Sequence, residues 1–145
     1  MNAGSICTRD VDLAGAHESV QAVAARMQQR NVGSVVVVDE RRRPVGIATD
    51  RDLAVRVLAR NGDAAGTALG DVMTPDPRTI AVDAHVDRAV DLMLEGSFRR
   101  VVVVDRLGAL YGVLSLDDVL IALSEQLDRV RELLERESPR AVATT

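Results

Sequence analysis

Ser34-Val35-Val36-Val37-Val38-Asp39 contains four consecutive valines, and the run returns later in the chain as Arg100-Val101-Val102-Val103-Val104-Asp105. The two runs lie 66 positions apart (101 − 35 = 66), and the same shift places residues 5–53 on residues 71–119 without a gap. The repeat pairs Gly46 with Gly112, Thr49 with Ser115 and Asp52 with Asp118. It predicts two copies of one supersecondary unit, packed as a pseudo-symmetric pair with a cleft where they meet.

Each copy has the pattern helix–strand–strand–helix. In the first copy, apolar residues at helical spacing predict a helix over 17–30 that ends at Asn31 and Gly33. The valine run is typical of a strand buried on both faces, and it covers 34–39. A second strand follows over 45–49, and a helix over 50–60 places Leu53, Val57 and Leu58 toward the core.

The second copy repeats these elements. We expect a helix over 84–95 capped by Asp83, strands over 100–105 and 109–114, and a helix from Ser115. The fold class is therefore α/β in composition (α+β in arrangement), with one unit over residues 1–64 and a second over 65–125. The short glycine-containing loop 61–66 suits halves that pack directly on each other.

The last helix continues past the repeat. Its leucines and one valine are spaced 4, 3, 4, 3 and 4 positions apart, which is a heptad pattern: Leu116, Leu120, Leu123, Leu127, Val130 and Leu134. Near its start this stripe is expected to face the core. Beyond Gln126, solvent exposure and contact with a helix of a second subunit both remain open. Pro139 is expected to end the helix, so that 126–145 is a helical extension with a loose tail from Arg140.

Composition excludes several classes of protein. The only aromatic residues are Phe98 and Tyr111, the formal net charge is −4 and the pI is about 5.2, which argues against a nucleic-acid partner. The single cysteine, Cys7, supports neither a disulfide nor a zinc site by itself, and no metal is expected. No apolar run is long enough for a membrane span and no signal-peptide pattern is present, so we expect a soluble, cytoplasmic protein without membrane insertion.

No pattern for catalysis stands out. His17 and His85 occupy different repeat positions and lack metal-ligand partners at a convincing spacing, so both are interpreted as surface or capping residues. The chain contains no lysine and hence no Walker loop, and no nucleophile with a neighbouring base is indicated. We therefore expect that the protein is not an enzyme.

Both copies close with Gly-x-x-[Ser/Thr]-x-x-Asp, at 46–52 and 112–118. The glycine permits close approach of a ligand or of a neighbouring backbone. Thr49 and Ser115 stand at helix N-caps, where backbone N–H groups favour an anion such as phosphate. One turn on, Asp52 and Asp118 can accept two hydrogen bonds from a ribose diol. The alternative for each copy is a plain capping box.

Arginines mark one copy only. Arg99 and Arg100 precede the second valine strand, whereas the first copy has Gly33 and Ser34 there, which indicates one phosphate-facing side. Arg51 is a further candidate, and plain solvation remains the alternative for these arginines. The run Arg41-Arg42-Arg43 is interpreted as a solvated turn.

Taken together, the stretches 31–39, 46–53 and 71–75 resemble the signatures of the CBS domain pair, the Bateman module, and the resemblance covers about residues 5–125. The resemblance implies two units packed through their sheets into one disk, with two clefts that bind AMP, ADP, ATP, NAD or S-adenosylmethionine. It implies that Asp52 and Asp118 hold ribose, that Thr49 and Ser115 face phosphate, and that Arg99 and Arg100 contact phosphates. Leu13-Ala14-Gly15 and Thr79-Ile80-Ala81 would contact adenine. Cys7-Thr8-Arg9 and Gly33-Ser34 depart from the pattern, so equal occupancy of the two clefts is not expected.

We therefore interpret the chain as a sensor that binds an adenine nucleotide between two CBS units and signals by a change of shape or partner. One alternative is a dimerisation or scaffold module with vestigial clefts. Another is an NAD cofactor domain of an enzyme, which the lack of catalytic residues disfavours. A homodimer is expected, and an effector protein that the sequence does not identify is a further partner.

Overall fold

The computed structural model describes residues 1–96 and 98–143, with side chains up to residue 137. In this part of the chain, seven strands and five α-helices follow one another in an order that repeats: α1 (Ala3–Ile6), β1 (Leu13–Ala14), α2 (Val20–Arg30), β2 (Ser34–Val38), β3 (Pro44–Thr49), α3 (Asp50–Leu53), β4 (Thr74–Pro75), β5 (Thr79–Ala81), α4 (Val86–Gly96), β6 (Arg100–Val104), β7 (Leu110–Ser115) and α5 (Leu116–Ala143). A π-helix, Ala54–Leu58, continues α3, and a 3-10 helix covers Leu69–Asp71.

The strands form two sheets, in the orders β1-β2-β3-β4 and β5-β6-β7. In each sheet a short first strand runs parallel to the valine strand, and the valine strand pairs antiparallel with the strand that follows it. The registers correspond at the same shift of 66 positions: Val36 pairs with Ile47, and Val102 pairs with Val113. The predicted internal repeat is therefore a repeat of structure.

The aspartate that ends each valine strand shapes the turn after it. Asp39 Oδ1 accepts hydrogen bonds from the backbone N–H groups of Arg41 and Arg43, both at 2.9 Å. Asp105 Oδ1 accepts in the same way from Leu107 at 2.9 Å and from Ala109 at 3.0 Å. Because the side chain satisfies two N–H groups of the turn, the valine run is followed by an immediate reversal.

The first segment of each unit packs on the other unit. Thr8 forms a pair of backbone hydrogen bonds with Val113 of β7, at 2.9 and 3.0 Å, and Ala3 of α1 is fully buried in the core of the second unit. The two units exchange these segments: in the same way, β4 at the start of the second unit pairs with β3, and Leu69 is fully buried in the core of the first unit. We call residues 1–8 and 69–75 the crossing segments. They join the two units through backbone and core.

The sheets also face each other directly. Val36 of one sheet and Val102 and Leu110 of the other are buried together in a third apolar cluster, with Ile47 and Val113 partly buried against them. Since valine strands covered on both faces are expected to read as continuous apolar runs, this contact explains the runs at 35–38 and 101–104. The two units thus pack through their sheets, as the resemblance implied.

Two helices begin later than predicted, for one physical reason. The residues before α2 and α4 pair with the crossing segments: Glu18 O accepts from Leu69 N at 2.8 Å, and Ala84 O accepts from Ala3 N at 2.9 Å. This pairing holds both stretches extended, so α2 starts after Ser19 and α4 after His85. The prediction that Asp83 caps α4 is wrong, because His85 Nδ1 accepts from Asp87 N at 3.2 Å instead.

The other two helices depart from expectation at their ends. The first unit's last helix becomes a π-helix and ends at Leu58, whose exposed fraction is 79%, so the prediction that Leu58 faces the core is wrong. Helix α5 continues through Pro139 to Ala143, and the predicted stop at Pro139 is also wrong. Proline costs one hydrogen bond there, but its fixed φ is itself helical. Thr144 and Thr145 of the predicted tail lie outside the described residues.

Candidate functional site: two clefts between the units

Two cavities lie where the units meet, and each takes residues from both. The first has a volume of about 420 Å³. We call it the basic cleft, and its lining is Ile47, Thr49, Asp52, Thr74, Asp76, Pro77, Arg78, Phe98, Arg99 and Arg100. Cavities of this size are typical of small-molecule sites. The motif residues of the first unit and the arginine pair of the second therefore face one cavity, although they lie far apart in sequence.

The second cavity has a volume of about 320 Å³. We call it the acidic cleft, and its lining is Thr8, Asp10, Val11, Asp12, Val32, Gly33, Ser34, Val36, Ile47, Arg100, Val113, Ser115, Asp117 and Asp118. The shift of 66 positions maps most of it onto the basic cleft: Thr8 corresponds to Thr74, Asp12 to Arg78 and Gly33 to Arg99. The two clefts are thus copies that differ at a few positions.

Charge is the main difference between the copies. Three arginines and two aspartates line the basic cleft, whereas one arginine and four aspartates line the acidic cleft. Each cleft has one further arginine just outside its lining. Arg56 forms an ion pair with Asp52 in the basic cleft, and Arg30 forms ion pairs with Asp12 and Asp10 in the acidic cleft. The difference in charge between the clefts is therefore unchanged. Within the described residues, Arg78, Arg99 and Arg100 have no ion-pair partner. An anionic ligand is therefore favoured in the basic cleft and opposed in the acidic one.

Both motif aspartates form capping boxes. Asp52 Oδ2 accepts from Thr49 N at 2.9 Å while Thr49 Oγ1 accepts from Asp52 N at 3.1 Å, and Ser115 and Asp118 repeat this pair of bonds at 3.0 Å each. The capping box, which the sequence offered as the alternative to ligand binding, is therefore present in both copies. It does not exclude ligand binding, because a carboxylate has further lone pairs and each hydroxyl keeps an O–H to donate.

The two aspartates differ in their second partner. Arg56 Nη2 lies 3.5 Å from Asp52 Oδ1. Asp118 instead accepts a hydrogen bond from the hydroxyl of Thr8, whose Oγ1 lies 3.3 Å from both carboxylate oxygens. The carboxylate in the basic cleft therefore has a charged neighbour and the one in the acidic cleft a neutral one.

The backbone at the start of α3 is not free to bind phosphate, contrary to the expectation from the sequence. Asp50 N donates to Gly33 O at 2.9 Å, Arg51 N to Asp50 Oδ1 at 2.8 Å, and Asp52 N to the capping hydroxyl. In the basic cleft a phosphate would therefore meet arginine side chains, rather than unpaired N–H groups of this helix.

The motif glycines make room for the crossing segments. A Cβ at Gly112 would lie 2.6 Å from Thr8 O and 2.7 Å from Cys7 Sγ, and a Cβ at Gly46 would overlap the side chain of Met73. Of the two roles that the sequence left open for these glycines, the structure shows close approach of a neighbouring segment.

Several predicted site residues lie elsewhere. Arg51, Thr79 and Ala81 are exposed and line neither cleft. Ile80 also lines neither cleft and is buried in the core of the second unit. Leu13 and Ala14 line neither cleft as well, and Gly15 borders an open groove beside Arg41 and Arg43. Their predicted contacts with ligand thus find no support in the shape of the two clefts.

Sequence reasoning missed half of the basic cleft. Thr74, Asp76, Pro77, Arg78 and Phe98 line it, and most of them follow the crossing segment that pairs with β3. One signal was available: position 78 carries arginine where the repeat partner, position 12, carries aspartate. Like the arginine at position 99, whose repeat partner is Gly33, it adds positive charge to the second copy only.

Three further observations concern other classes of site. Among the described residues, no group of three or more His, Cys, Asp or Glu side chains is arranged to hold a metal ion. No helix in the described part of the chain is both long and apolar enough to cross a bilayer. Burial raises the pKa of the Cys7 thiol, which makes it a weak nucleophile at neutral pH.

Comparison with known protein sequences identifies one family. The sequence model of the CBS domain matches twice, over residues 3–59 and 69–125. The uncharacterized protein MK0525 of Methanopyrus kandleri is 32% identical over 120 residues, which cover 83% of this chain and 61% of MK0525. The uncharacterized protein YlbB of Bacillus subtilis is 35% identical over 122 residues, covering 83% of this chain and 80% of YlbB.

Solved structures agree with the sequence comparison. The CBS-pair protein CBSX2 of Arabidopsis thaliana superimposes with a TM-score of 0.76 at 28% identity, over 88% of this chain and 96% of CBSX2. A structure of CBSX2 in complex with AMP superimposes with a TM-score of 0.73 at 26% identity, over 86% of this chain and 96% of that one. With its two matched repeats and two sheets packed face to face, this chain belongs to the CBS domain family and is a tandem CBS pair.

Proposed function

We propose that the chain is a regulatory module that binds one adenine nucleotide in the basic cleft and signals by a change of shape or partner. The observation that carries this proposal is a set of three arginines, Arg78, Arg99 and Arg100, which line one cavity with Thr49 and Asp52 and have no ion-pair partner among the described side chains. Arginines bind phosphate through charge-assisted hydrogen bonds, and a carboxylate can accept from a ribose diol. The AMP complex of CBSX2 supports the choice of an adenine nucleotide.

The charge contrast makes the proposal specific. Four aspartates line the acidic cleft, so a phosphate there would meet like charges. We therefore assign AMP, ADP, ATP or NAD, all of which carry phosphate, to the basic cleft alone. Ser115 and Asp118 remain candidates for a ligand without phosphate.

The competing proposal, a dimerisation or scaffold module, draws support from α5. Seven large apolar side chains of this helix are about half exposed or more: Leu120, Ile121, Leu123, Leu127, Val130, Leu133 and Leu134. A homodimer through this helix is compatible with nucleotide binding, so we propose both and expect an effector protein to read the result. Under the competing proposal alone, the clefts would stay empty.

A thermal-shift screen distinguishes the two. Purified protein is heated alone and with AMP, ADP, ATP, NAD, S-adenosylmethionine or GMP, and its absorbance at 260 nm is recorded first to detect nucleotide that copurifies. We expect a higher Tm with at least one phosphorylated adenine ligand and little change with GMP. An unchanged Tm with every ligand, from protein that carries no nucleotide, would favour the scaffold.

A further inference from the structure

Arg56 bridges the basic cleft and a crossing segment. Its Nη2 lies 3.5 Å from Asp52 Oδ1, and its Nη1 donates a hydrogen bond of 2.8 Å to the carbonyl oxygen of Val72. The side chain of Arg56 is 35% exposed and that of Asp52 is 18% exposed, so the pair is partly shielded from solvent. A planar guanidinium can hold two oxygens at fixed positions at once, which an ammonium cannot.

The local backbone is special to this unit. Arg56 lies in the π-helix Ala54–Leu58, where Ala59 N donates to Ala54 O at 2.8 Å, five residues back. The equivalent stretch of the second unit belongs to the regular helix α5, and the residue equivalent to Arg56 is the buried Ala122. Short π-helical turns occur frequently at functional sites. Among the described residues, an arginine bridge of this kind occurs in the basic cleft alone, whereas in the acidic cleft Asp118 accepts directly from Thr8.

The far end of the bridge lies in the segment that leads to the basic cleft. Val72 precedes Thr74, Asp76 and Arg78, which line the basic cleft together with Asp52. A ligand that contacts both Asp52 and Arg78 would therefore touch the carboxylate beside Arg56 and the segment that continues from Val72.

We propose that Arg56 is a positioning residue: it orients the Asp52 carboxylate toward the ribose diol and ties that carboxylate to the crossing segment 69–75. The inference rests on the proposed nucleotide binding in the basic cleft. It adds how the ribose is recognised, and how occupancy of the cleft reaches the backbone that joins the two units.

The test compares AMP with 2′,3′-dideoxy-AMP, which lacks the diol but keeps adenine and phosphate. Calorimetry gives the ratio of their Kd values for the wild type, Arg56→Gln, Arg56→Lys and the control Arg60→Gln. Arg60 is exposed and lies one turn beyond Arg56. We expect the wild type and the control to prefer AMP by about tenfold or more, because two hydrogen bonds to a carboxylate are lost with the diol.

Arg56→Gln should reduce this preference to about threefold or less, with Arg56→Lys in between, while affinity for dideoxy-AMP stays nearly constant. Equal weakening of both ligands, or a wild-type ratio in Arg56→Gln, would overturn the inference and leave the proposed function intact. Should Arg56→Gln unfold, the intermediate ratio expected for Arg56→Lys decides. Failure of the wild type to bind any of AMP, ADP, ATP and NAD would overturn the proposed function as well.

Hydrogen exchange tests the link to the backbone. AMP should slow exchange in residues 72–78 of the wild type and of Arg60→Gln, and slow it less in Arg56→Gln. The same protection in all three proteins would contradict the proposed tie.

Discussion

At the scale of single residues, a few repeat positions decide how the two clefts differ. Positions 12 and 78 carry opposite charges, and positions 33 and 34 lack the arginines found at 99 and 100. Elsewhere the repeat keeps the chemistry constant, since both copies have the hydroxyl and carboxylate of the capping box. Under the proposed function, selectivity for phosphate arises from these variable positions, while the capping boxes are the same in both copies.

The arginines should distinguish phosphorylated from unphosphorylated ligands. Replacing Arg78 and Arg99 together by glutamine should weaken AMP binding by about tenfold or more and reduce its dependence on salt, because charge-assisted hydrogen bonds to phosphate are lost. Adenosine binding should change little. Calorimetry at low and high salt measures both effects, with Arg41→Gln/Arg42→Gln as the matched control on an exposed turn. An equal loss for AMP and adenosine would mean that the arginines support the fold.

Glu18 gives a prediction for acid stability. Hydrogen bonds from Arg26, at 2.8 and 3.0 Å, and from Gly15 N, at 2.8 Å, lower its pKa from 4.5 to about 2. The folded state therefore holds the charged carboxylate more strongly than the unfolded chain does. This stabilisation is complete above the unfolded pKa and is lost as the pH falls from 4.5 toward 2.

Glu18→Gln should accordingly lower the free energy of unfolding near neutral pH, by about 1 kcal/mol because solvent screens a partly exposed pair. The difference from wild type should shrink on acidification below about pH 4. Chemical denaturation at several pH values measures it, with the exposed Glu40→Gln as control. A difference that stays constant down to about pH 2 would contradict the assignment.

At the scale of elements, the sequence predicts the strands better than the helix ends. Two apolar runs of β-branched residues, each followed by turn residues, strongly favour strands over helices. The bounds of β2 and β6 accordingly lie within one residue of the prediction. The starts of α2 and α4 differ from the prediction because backbone pairing with the crossing segments holds the residues before them extended. That pairing joins residues about 50 to 80 positions apart, and a local pattern does not contain it.

The motif glycines test the packing of the crossing segments. Gly112→Ala should cost roughly 1–3 kcal/mol of stability, because its Cβ would lie 2.6 Å from a backbone carbonyl oxygen. Gly46→Ala should cost less, since the flexible side chain of Met73 can move aside. Thermal or chemical unfolding of the two variants side by side gives the comparison. If Gly46→Ala were the more damaging change, the described approach of Thr8 to β7 would be incorrect.

Helix α5 carries a prediction about assembly. Its core-facing residues are Val119 and Ala122, whereas Leu120 and Leu123 of the heptad stripe are about half exposed, so the stripe leaves the core earlier than the sequence suggested. Burial of each large apolar side chain contributes about 1.5–3 kcal/mol, and a second copy of the helix would cover them in a symmetric dimer.

Ending the chain after Gln126 should therefore weaken the dimer and leave AMP affinity nearly unchanged, because every cleft residue precedes the cut. Light scattering and calorimetry measure the two properties, and Glu125→Ser/Arg129→Ser serves as a control on the polar side of the helix. A full-length protein that remains monomeric at micromolar concentration, with and without AMP, would refute this assembly.

At the scale of the whole molecule, the repeat predicted most of the architecture. A shift of 66 positions implies two similar units, and it states which residues are equivalent. It does not state on which unit a segment packs, so the exchange of residues 1–8 and 69–75 could not be predicted. Because of this exchange the clefts take residues from both units, and half of the basic cleft was missed for the same reason.

The exchange also suggests how a ligand could act on the whole chain. The crossing segments pair with β3 and β7, and the strand ends beside them hold the motif residues of the two clefts. A nucleotide in one cleft would thus contact both units and the segment between them. A module of this design can convert binding into a change in how its two halves sit together.

The stoichiometry of AMP binding tests the central claim most directly. Titration calorimetry should give one AMP per chain for the wild type, a loss of about tenfold or more in affinity for Asp52→Ala, and little change for Asp118→Ala. Two equivalent sites per chain, or a loss in Asp118→Ala with Asp52→Ala unaffected, would contradict the assignment of the phosphorylated ligand to the basic cleft.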